Sequence, residues 1–443
     1  MTFWSPKAYT LNAWQWPTNQ IKPLASALVP KKVEAKVKDN IGLKLLSIRF
    51  DGTMDERNAL PESLKGKLYL AGPGDVVFSK IDVRNGAIGI IPTEFDKVAF
   101  TTEFPIYQVR PEVASPQYIQ LLFRSDFFQA TINGMVSGAS GRKRVAPEQL
   151  EAMSVPLPPL TTQQTIIAQW QTLQSQAAKA ALVADQREAK GQLDFLQALG
   201  LQAPKVQLKR RAFAMRWSDM GRWGSEANRL SQQGGEITKL RFPMAQGLDC
   251  IESVSHGCSA SPSALPTKLE VLKISAVTRG WLNISEKKFA PDQAKLRKQY
   301  ALHNGDILLC RTNGTLDYVG RAALVEDEHP DLIFPDKVIR VRLKANVLPA
   351  YFWYLLGTPY LRAQIESFAR TAVGNYAIGG KDIWKLYFPL PPLDVQQTLV
   401  TAVSQARADA ARLRQQAKQL RDQAKLQIEA ALLGQGLPQL GKK

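Results

Sequence analysis

Hydrophobic residues recur at alternating spacings of four and three near the end of the chain. This heptad pattern is typical of a coiled-coil helix with one apolar stripe. The stripe consists of Leu399, Val403, Ala406, Ala410, Leu413, Ala417, Leu420 and Ala424. The region is therefore predicted to form one long helix that buries this stripe.

A second stripe lies in the middle of the chain and weakens at Arg187 and Gly191. It consists of Ile166, Trp170, Leu173, Ala177, Ala180 and Ala184. Alanine-rich stripes permit close approach, and two stripes of matching register can bury each other. We favour this mutual pairing. Pairing of either helix with another protein is the alternative.

Both predicted helices follow the same proline-rich motif. Val155–Leu160 and Phe388–Leu393 each contain Pro-Leu-Pro-Pro-Leu, and the glutamine pairs Gln163-Gln164 and Gln396-Gln397 follow at the same distance. The second copy lies 233 residues after the first (397 − 164). Proline-rich tetrads alone are common in linkers, so this motif by itself does not establish an internal repeat.

A second marker is a Gly-Asp pair further upstream in each half. Gly74-Asp75 and Gly305-Asp306 are 231 residues apart (306 − 75), and Gly89 matches Gly320 without a gap. Two markers in one order and at nearly one offset predict two copies of one structural plan.

A β-hairpin is predicted to follow the Gly-Asp pair in each copy. Val76–Ile81 and Ala87–Ile91 are strand-like and flank a hairpin-type Asn-Gly turn at Arg84–Gly86. Ile307–Thr312 and Val319–Val325 repeat the pattern. The sequence therefore predicts mixed α/β or α+β globular parts.

A helix is predicted to follow each hairpin. Ser115-Pro116 predicts a capped helix through about Ile132, and Pro349 begins a comparable helix that carries Tyr351, Leu355 and Leu361.

The charge balance favours a polyanionic partner. The chain has 57 Lys and Arg against 39 Asp and Glu, a net charge of +18. Nucleic acid is the first candidate, and an anionic membrane surface is the alternative. No apolar run reaches the roughly 18 residues of a spanning helix, and no signal pattern begins the chain. We expect a soluble cytoplasmic protein.

The cysteines do not form a recognisable site. Cys250, Cys258 and Cys310 are an odd number at no disulfide spacing, which fits a reducing compartment. Cys250, His256 and Cys258 cluster, but a structural zinc needs a fourth ligand. Buried or incidental side chains are the favoured interpretation, and no metal site is predicted.

The sequence shows no catalytic motif. An adenine methyltransferase needs an Asn/Asp-Pro-Pro-aromatic motif, whereas the Pro-Pro pairs here lie between leucines. No complete phosphate-binding Gly-x-x-x-x-Gly-Lys-Ser/Thr loop is present, and the histidines have no triad spacing. No catalytic residue is assigned. The rivals to DNA binding are an enzyme with an unfamiliar site and a basic structural coiled coil.

The duplicated motifs resemble the specificity subunits of Type I restriction-modification systems, over nearly the whole chain. The resemblance is carried by the Gly-Asp hairpins at Gly74–Ile91 and Gly305–Leu324, and by the helix starts at Pro156–Gln164 and Pro389–Gln397. It implies two target-recognition domains separated by two helices that pack as an antiparallel coiled-coil spacer with pseudo-twofold symmetry. The implied segments are 1–155 and 204–388 for recognition, and 156–203 and 389–443 for the spacer.

The resemblance also implies the partners. A specificity subunit reads a bipartite, asymmetric double-stranded DNA target and assembles with two modification subunits and with restriction subunits. S-adenosylmethionine belongs to the modification subunits, which methylate adenine. ATP and Mg belong to the restriction subunits, so this chain is expected to hold no cofactor.

Polar and basic residues at matched places are the candidate DNA contacts. Base edges are read by side chains that reach them, whereas phosphate contacts carry no sequence information. The candidates in the first half are Lys80, Arg84, Asn85, Arg142, Lys143 and Arg144. Those in the second half are Arg311, Thr312, Asn313, Thr315, Asn375 and Tyr376. Their chemistry differs between the halves, as an asymmetric target requires.

Overall fold

The computed structural model describes residues 14–35, 43–57, 66–135, 144–201, 241–372 and 374–435. The chain divides into two units. The first comprises residues 1–181 and 414–443, and the second comprises residues 182–413. Each unit contains a mixed globular part and segments of two long helices.

The strands in the described part of the first unit form three sheets. Their orders are β2-β9-β6-β7, β4-β3-β8-β5 and β1-β10. The strands are β1 (Ile21–Pro23), β2 (Leu28–Pro30), β3 (Lys44–Ile48), β4 (Met54–Glu56), β5 (Leu68–Ala71), β6 (Val76–Phe78), β7 (Ile88–Ile90), β8 (Val98–Thr101), β9 (Ile106–Val109) and β10 (Ser154–Pro156). The first sheet is antiparallel throughout.

The strands of the second unit repeat this plan. The sheet β12-β19-β15-β17 corresponds to β2-β9-β6-β7, and the sheet β11-β22 corresponds to β1-β10. Two three-stranded sheets, β14-β13-β18 and β16-β21-β20, complete the described part of the unit. The strands are β11 (Met244–Gln246), β12 (Ile251–His256), β13 (Glu270–Leu272), β14 (Lys287–Phe289), β15 (Ile307–Cys310), β16 (Thr312–Asn313), β17 (Ala322–Leu324), β18 (Leu332–Ile333), β19 (Val338–Leu343), β20 (Arg370–Ala372), β21 (Asn375–Ala377) and β22 (Tyr387–Pro389).

The helices follow the same repeat. Those before and including the first long helix are α1 (Pro116–Arg124), α2 (Asp126–Met135), α3 (Pro147–Glu151) and α4 (Leu160–Leu199). The remaining ones are α5 (Gly247–Cys250), α6 (Ala294–Tyr300), α7 (Pro349–Leu356), α8 (Pro359–Phe368), α9 (Gly380–Ile383) and α10 (Leu393–Leu432). The mixed fold predicted from the sequence is confirmed.

Each helix predicted after a hairpin is in fact a pair of helices. The Ser115 hydroxyl caps α1 as expected, by accepting a hydrogen bond from the Tyr118 N–H. The helix then breaks at Ser125, whose hydroxyl accepts from the Phe128 N–H. Thr358 begins α8 in the same way, so Leu361 lies in a separate helix from Tyr351 and Leu355. The prediction of a single helix through Ile132 is therefore wrong. The hydroxyl side chains of Ser125 and Thr358 cap and begin new helices at these positions.

The predicted strands are also shorter than expected. β6 ends at Phe78, and a short 3-10 helix (Val83–Asn85) followed by Gly86 replaces a two-residue turn. The ungapped match of Gly89 with Gly320 is wrong. In the connections between the paired strands, Gly86 and Gly320 both adopt left-handed φ values, 101° and 72°. β7 pairs Ile90 with Val76, and β17 pairs Leu324 with Ile307, so the second connection is longer.

The two long helices pair within each unit. In the first unit Ile166 of α4 shares a core with Ile428, Ala431 and Leu432 of α10. In the second unit Phe195 and Leu199 of α4 share a core with Val400 and Val403 of α10. Early residues of one helix meet late residues of the other, so the pairing is antiparallel and mutual, as predicted.

The predicted stripes supply the buried positions of this pairing. Ala177, Ala184, Ala410, Ala417 and Ala424 are buried, in agreement with a heptad seam. The helix continues through Gly191 to Leu199, although the stripe weakens at this glycine. A Cβ atom at Gly191 would lie 2.6 Å from the Cβ of Ala406, so this glycine permits close helix approach.

Candidate nucleic-acid interface

The repeated Gly-Asp pair is a structural device that begins each hairpin. Gly74 and Gly305 adopt φ values of 83° and 87°, which glycine tolerates best. The buried Asp75 carboxylate accepts from the Gly72 N–H at 2.8 Å and pairs with Lys31 at 2.5 Å. The buried Asp306 carboxylate accepts from the His303 N–H at 3.0 Å and pairs with Arg342 at 2.6 Å.

The repeated glutamine fixes the start of each long helix. Gln163 is fully buried, and its Nε2 donates to the carbonyls of Val113 and Pro158, both at 2.8 Å. Its Oε1 accepts from the Ser115 N–H at 3.1 Å. The side chain thereby joins the proline-rich motif to the start of α1.

Gln396 makes the same three bonds in the second unit. Its Nε2 donates to Asn346 and Pro391 carbonyls at 3.0 and 2.8 Å, and its Oε1 accepts from Leu348 at 2.8 Å. The second glutamine of each pair, Gln164 or Gln397, is exposed. The buried glutamine of each motif therefore has the same structural role in both halves.

The candidate DNA contacts lie on this scaffold at the end of each first hairpin strand. In the first unit, the Lys80 carbonyl accepts from the Val145 N–H at 2.9 Å. In the second unit, the Arg311 carbonyl accepts from the Ile378 N–H at 3.0 Å. Each bond joins the hairpin to the segment that precedes the long helix. The structure therefore brings together the two predicted regions of each half.

In the first unit the candidates differ in accessibility. Asn85 is exposed, whereas Lys80 and Arg84 are partly buried. Lys80 Nζ donates to the Thr102 carbonyl at 2.7 Å, and Asn85 Nδ2 donates to Asp82 at 3.3 Å. Arg144 is exposed and lies 3.3 Å from the Glu103 carboxylate. Arg142 and Lys143 lie outside the described residues.

In the second unit the candidates form part of one small sheet. Thr312 pairs with Ala377, and Asn313 pairs with Tyr376. Asn313 Oδ1 accepts from the Thr315 N–H at 3.0 Å, which closes the turn. Asn375 and Thr315 are exposed, and Tyr376 is partly buried. Arg311 donates to the Asp336 carbonyl at 3.2 Å.

The structure adds Arg124 to the residues around the first hairpin, and it places His256, noted in the sequence only for its position near two cysteines, beside the second. His256 lies at the end of β12, and burial together with the positive charge of Arg311 lowers its pKa. Arg124 donates to the Phe50 and Gly86 carbonyls at 3.1 and 3.0 Å. No sequence motif identifies either residue, because their partners come from distant segments.

The remaining features of the described residues concern metal ligands, cysteines and helix hydropathy. Within them, no group of three or more His, Cys, Asp and Glu side chains is placed to hold a metal ion. The three cysteines are free and buried, and burial raises the pKa of Cys310 to about 11. No described helix is long and apolar enough to cross a membrane.

Comparisons with known proteins identify relatives that align with most of this chain. No protein-family model matches the chain. The specificity subunit of the Type I restriction enzyme EcoKI of Escherichia coli K12 is 24% identical over 350 residues, which cover 78% of this chain and 70% of that protein. The StySPI specificity subunit of Salmonella potsdam is 24% identical over 352 residues, 78% of this chain and 70% of that protein. The chain is a homologue of Type I restriction specificity subunits.

The fold agrees with this relationship. A solved chain from a study of complex assembly and conformational transition of the type I R-M system aligns over 94% of this chain and 97% of its own length. The TM-score is 0.58 at 16% identity. The resemblance inferred from the duplicated motifs is thus confirmed, and so is the fold of this Type I specificity-subunit homologue.

Proposed function

We propose that this chain is the DNA-reading specificity subunit of a Type I restriction-modification complex. Each globular part, within residues 1–155 and 204–388, reads one half of a bipartite asymmetric target. The segments 156–203 and 389–443 form the spacer. The observation that carries the proposal is the pair of matching hairpins, which have equivalent backbone bonds but different polar side chains.

The proposal assigns no catalysis to this chain. Two modification subunits supply S-adenosylmethionine chemistry and methylate adenine at N6, and restriction subunits use ATP and Mg to act on unmodified DNA. The net charge of +18 supports a double-stranded DNA partner, since phosphate neutralisation supplies much of the affinity. We place the complex in the cytoplasm.

The test compares the purified chain with the chain plus its modification subunits. We expect adenine methylation at one bipartite motif only in the mixture, measured by sequencing the methylated DNA. The chain alone should neither methylate nor cut. Methyl transfer at an equal rate by the chain alone would favour the rival, a solitary methyltransferase.

A second measurement separates specific reading from a merely basic coiled coil. The complex should bind a duplex that contains its target more tightly than a scrambled duplex, at salt concentrations that abolish phosphate-only binding. Equal affinity for both duplexes would contradict the proposal.

A further inference from the structure

The connection between β3 and β4 packs directly on the hairpin of the first unit. Arg124 donates to the carbonyls of Phe50, Gly86 and Ile88, and so ties this connection to the hairpin. A Cβ atom at Gly89 would lie 2.5 Å from the Gly52 carbonyl oxygen. The two connections therefore meet backbone to backbone, and glycine is required at their contact.

This packing places an exposed aromatic residue beside the candidate reading residues. The Phe50 side chain is 62% exposed. Its carbonyl oxygen lies where a side chain at Gly86 would begin, immediately after Asn85. Arg49 is occupied by an ion pair with Asp55, so Phe50 is the apolar group that this connection presents beside the hairpin.

The chemistry of the DNA grooves gives such a residue a specific use. The major groove presents the thymine methyl group as an apolar feature, and phenylalanine is one of the side chains that contact it. A neighbouring polar residue such as Asn85 can read donors and acceptors on adjacent base edges. A lysine such as Lys80, by contrast, suits a phosphate contact.

We propose that Phe50 makes an apolar base contact in the first half of the DNA target, and that Arg124 is the residue that positions it. The inference rests on the proposed function. It adds a specificity-determining residue outside the duplicated motifs. The ligand class is a thymine-containing base step of double-stranded DNA.

The experiment uses the complex of the full chain with its modification subunits. Methylated motifs and binding to the wild-type target are measured for the wild type, Phe50→Ala and Phe50→Leu. We expect Phe50→Ala to bind the target about tenfold more weakly and to lose preference at one base pair of one half-site only. Phe50→Leu keeps an apolar group and should retain part of that preference.

Salt dependence distinguishes a base contact from a phosphate contact. Phe50→Ala should leave the slope of log affinity against log salt unchanged, whereas Lys80→Ala should reduce it by about one. Trp281, 55% exposed in the second unit, supplies the matched aromatic control. Trp281→Ala should leave the half-site affected by Phe50→Ala unaltered.

The outcomes are separable. An unchanged motif and affinity in a Phe50→Ala complex that melts like the wild type would overturn the inference, as would an equal loss at both half-sites. A wild-type complex without any sequence preference would instead overturn the proposed function. If Phe50→Ala unfolds, the Phe50→Leu complex decides: a partial loss of preference at one base pair of one half-site supports the inference, whereas an unchanged motif and affinity overturn it.

Discussion

The two hairpins of this protein share their strand pairing but present different chemistry. The first carries Lys80, Arg84 and Asn85, whereas the second carries Arg311, Thr312 and Asn313. The bond from Val145 to Lys80 and the bond from Ile378 to Arg311 nevertheless join equivalent segments. The residues that hold the scaffold, such as Gln163 and Gln396, are repeated, whereas the polar residues of the hairpins differ.

The halves also differ in the connection beside each hairpin. In the first unit β3 and β4 are joined by a short turn that Arg124 fastens through the Phe50 carbonyl. In the second unit the corresponding strands β13 and β14 are separated by a longer segment with a 3-10 helix, Ile274–Ala276. If Phe50 reads DNA as we propose, the first half gains a reading residue in a connection that has a different length in the second.

The buried glutamines Gln163 and Gln396 test whether the scaffolds of the two halves are equivalent. Leucine at Gln163 or Gln396 would leave two carbonyls and one N–H without their buried partner. Each unsatisfied group is costly, so we expect a loss of about 3 kcal/mol in the free energy of unfolding. The losses should be alike in the two units. Urea denaturation measures them.

The exposed neighbour in each pair is the matched control. Gln164→Leu and Gln397→Leu should change stability by no more than about 0.5 kcal/mol, because surface substitutions rarely matter. If Gln163→Leu were as harmless as Gln164→Leu, the bonds to Val113 and Pro158 would not stabilise the unit.

Alanine substitutions at the left-handed glycines Gly86 and Gly320 should destabilise the two hairpins to different extents. An alanine side chain at Gly86 would collide with the Phe50 backbone carbonyl, whereas one at Gly320 would meet the Ile365 side chain, which can move. We expect Gly86→Ala to lower the free energy of unfolding by about 2–3 kcal/mol and Gly320→Ala by less.

Gly66 isolates the contribution of backbone conformation. Its φ of 109° is close to that of Gly86, but a Cβ atom there would meet nothing within 4 Å. Gly66→Ala should therefore cost about 1 kcal/mol, from the positive φ alone. Thermal denaturation of the three variants compares them, and equal costs would show that crowding by Phe50 is unimportant.

The repeat and the helices could be predicted from sequence because they depend on local patterns. Heptad spacing identified the buried seam, including Ala177 and Ala417, and the proline-rich motif marked the start of each long helix. The Gly-Asp pairs marked the hairpins. These signals lie within short windows, so no knowledge of distant contacts is needed.

The details of the site depend on contacts between distant segments. The predicted match of Gly89 with Gly320 is wrong, because the sequence alone does not show that Gly86 is the glycine that adopts a positive φ. Arg124 and Arg362 each donate to hairpin carbonyls, but from different helices of the pair, so no simple offset relates them. The helix breaks, by contrast, could have been predicted from the sequence, because Ser125 and Thr358 are residues that commonly cap a helix.

The smallest predicted effect concerns pH and the second unit. His256 occupies the end of β12, and strand pairing puts Lys32 at the corresponding place after β2. Burial and Arg311 lower the pKa of His256, and Asp336 opposes this shift only in part. Protonation is therefore easier in the unfolded chain, whose histidine pKa is about 6.5.

This sign means that the stability of the second unit is constant above the unfolded pKa and falls as pH drops through it. The decline should end once the pH is below the folded pKa. Because His256 is only partly buried and the residue as a whole is exposed, we expect a loss of no more than about 0.5 kcal/mol. Urea denaturation between pH 7.5 and 5 measures it in the wild type and in His256→Gln, which cannot titrate. An identical pH dependence in both proteins would assign the decline to other groups, and a stability that rose on acidification would mean that Asp336 outweighs burial and Arg311.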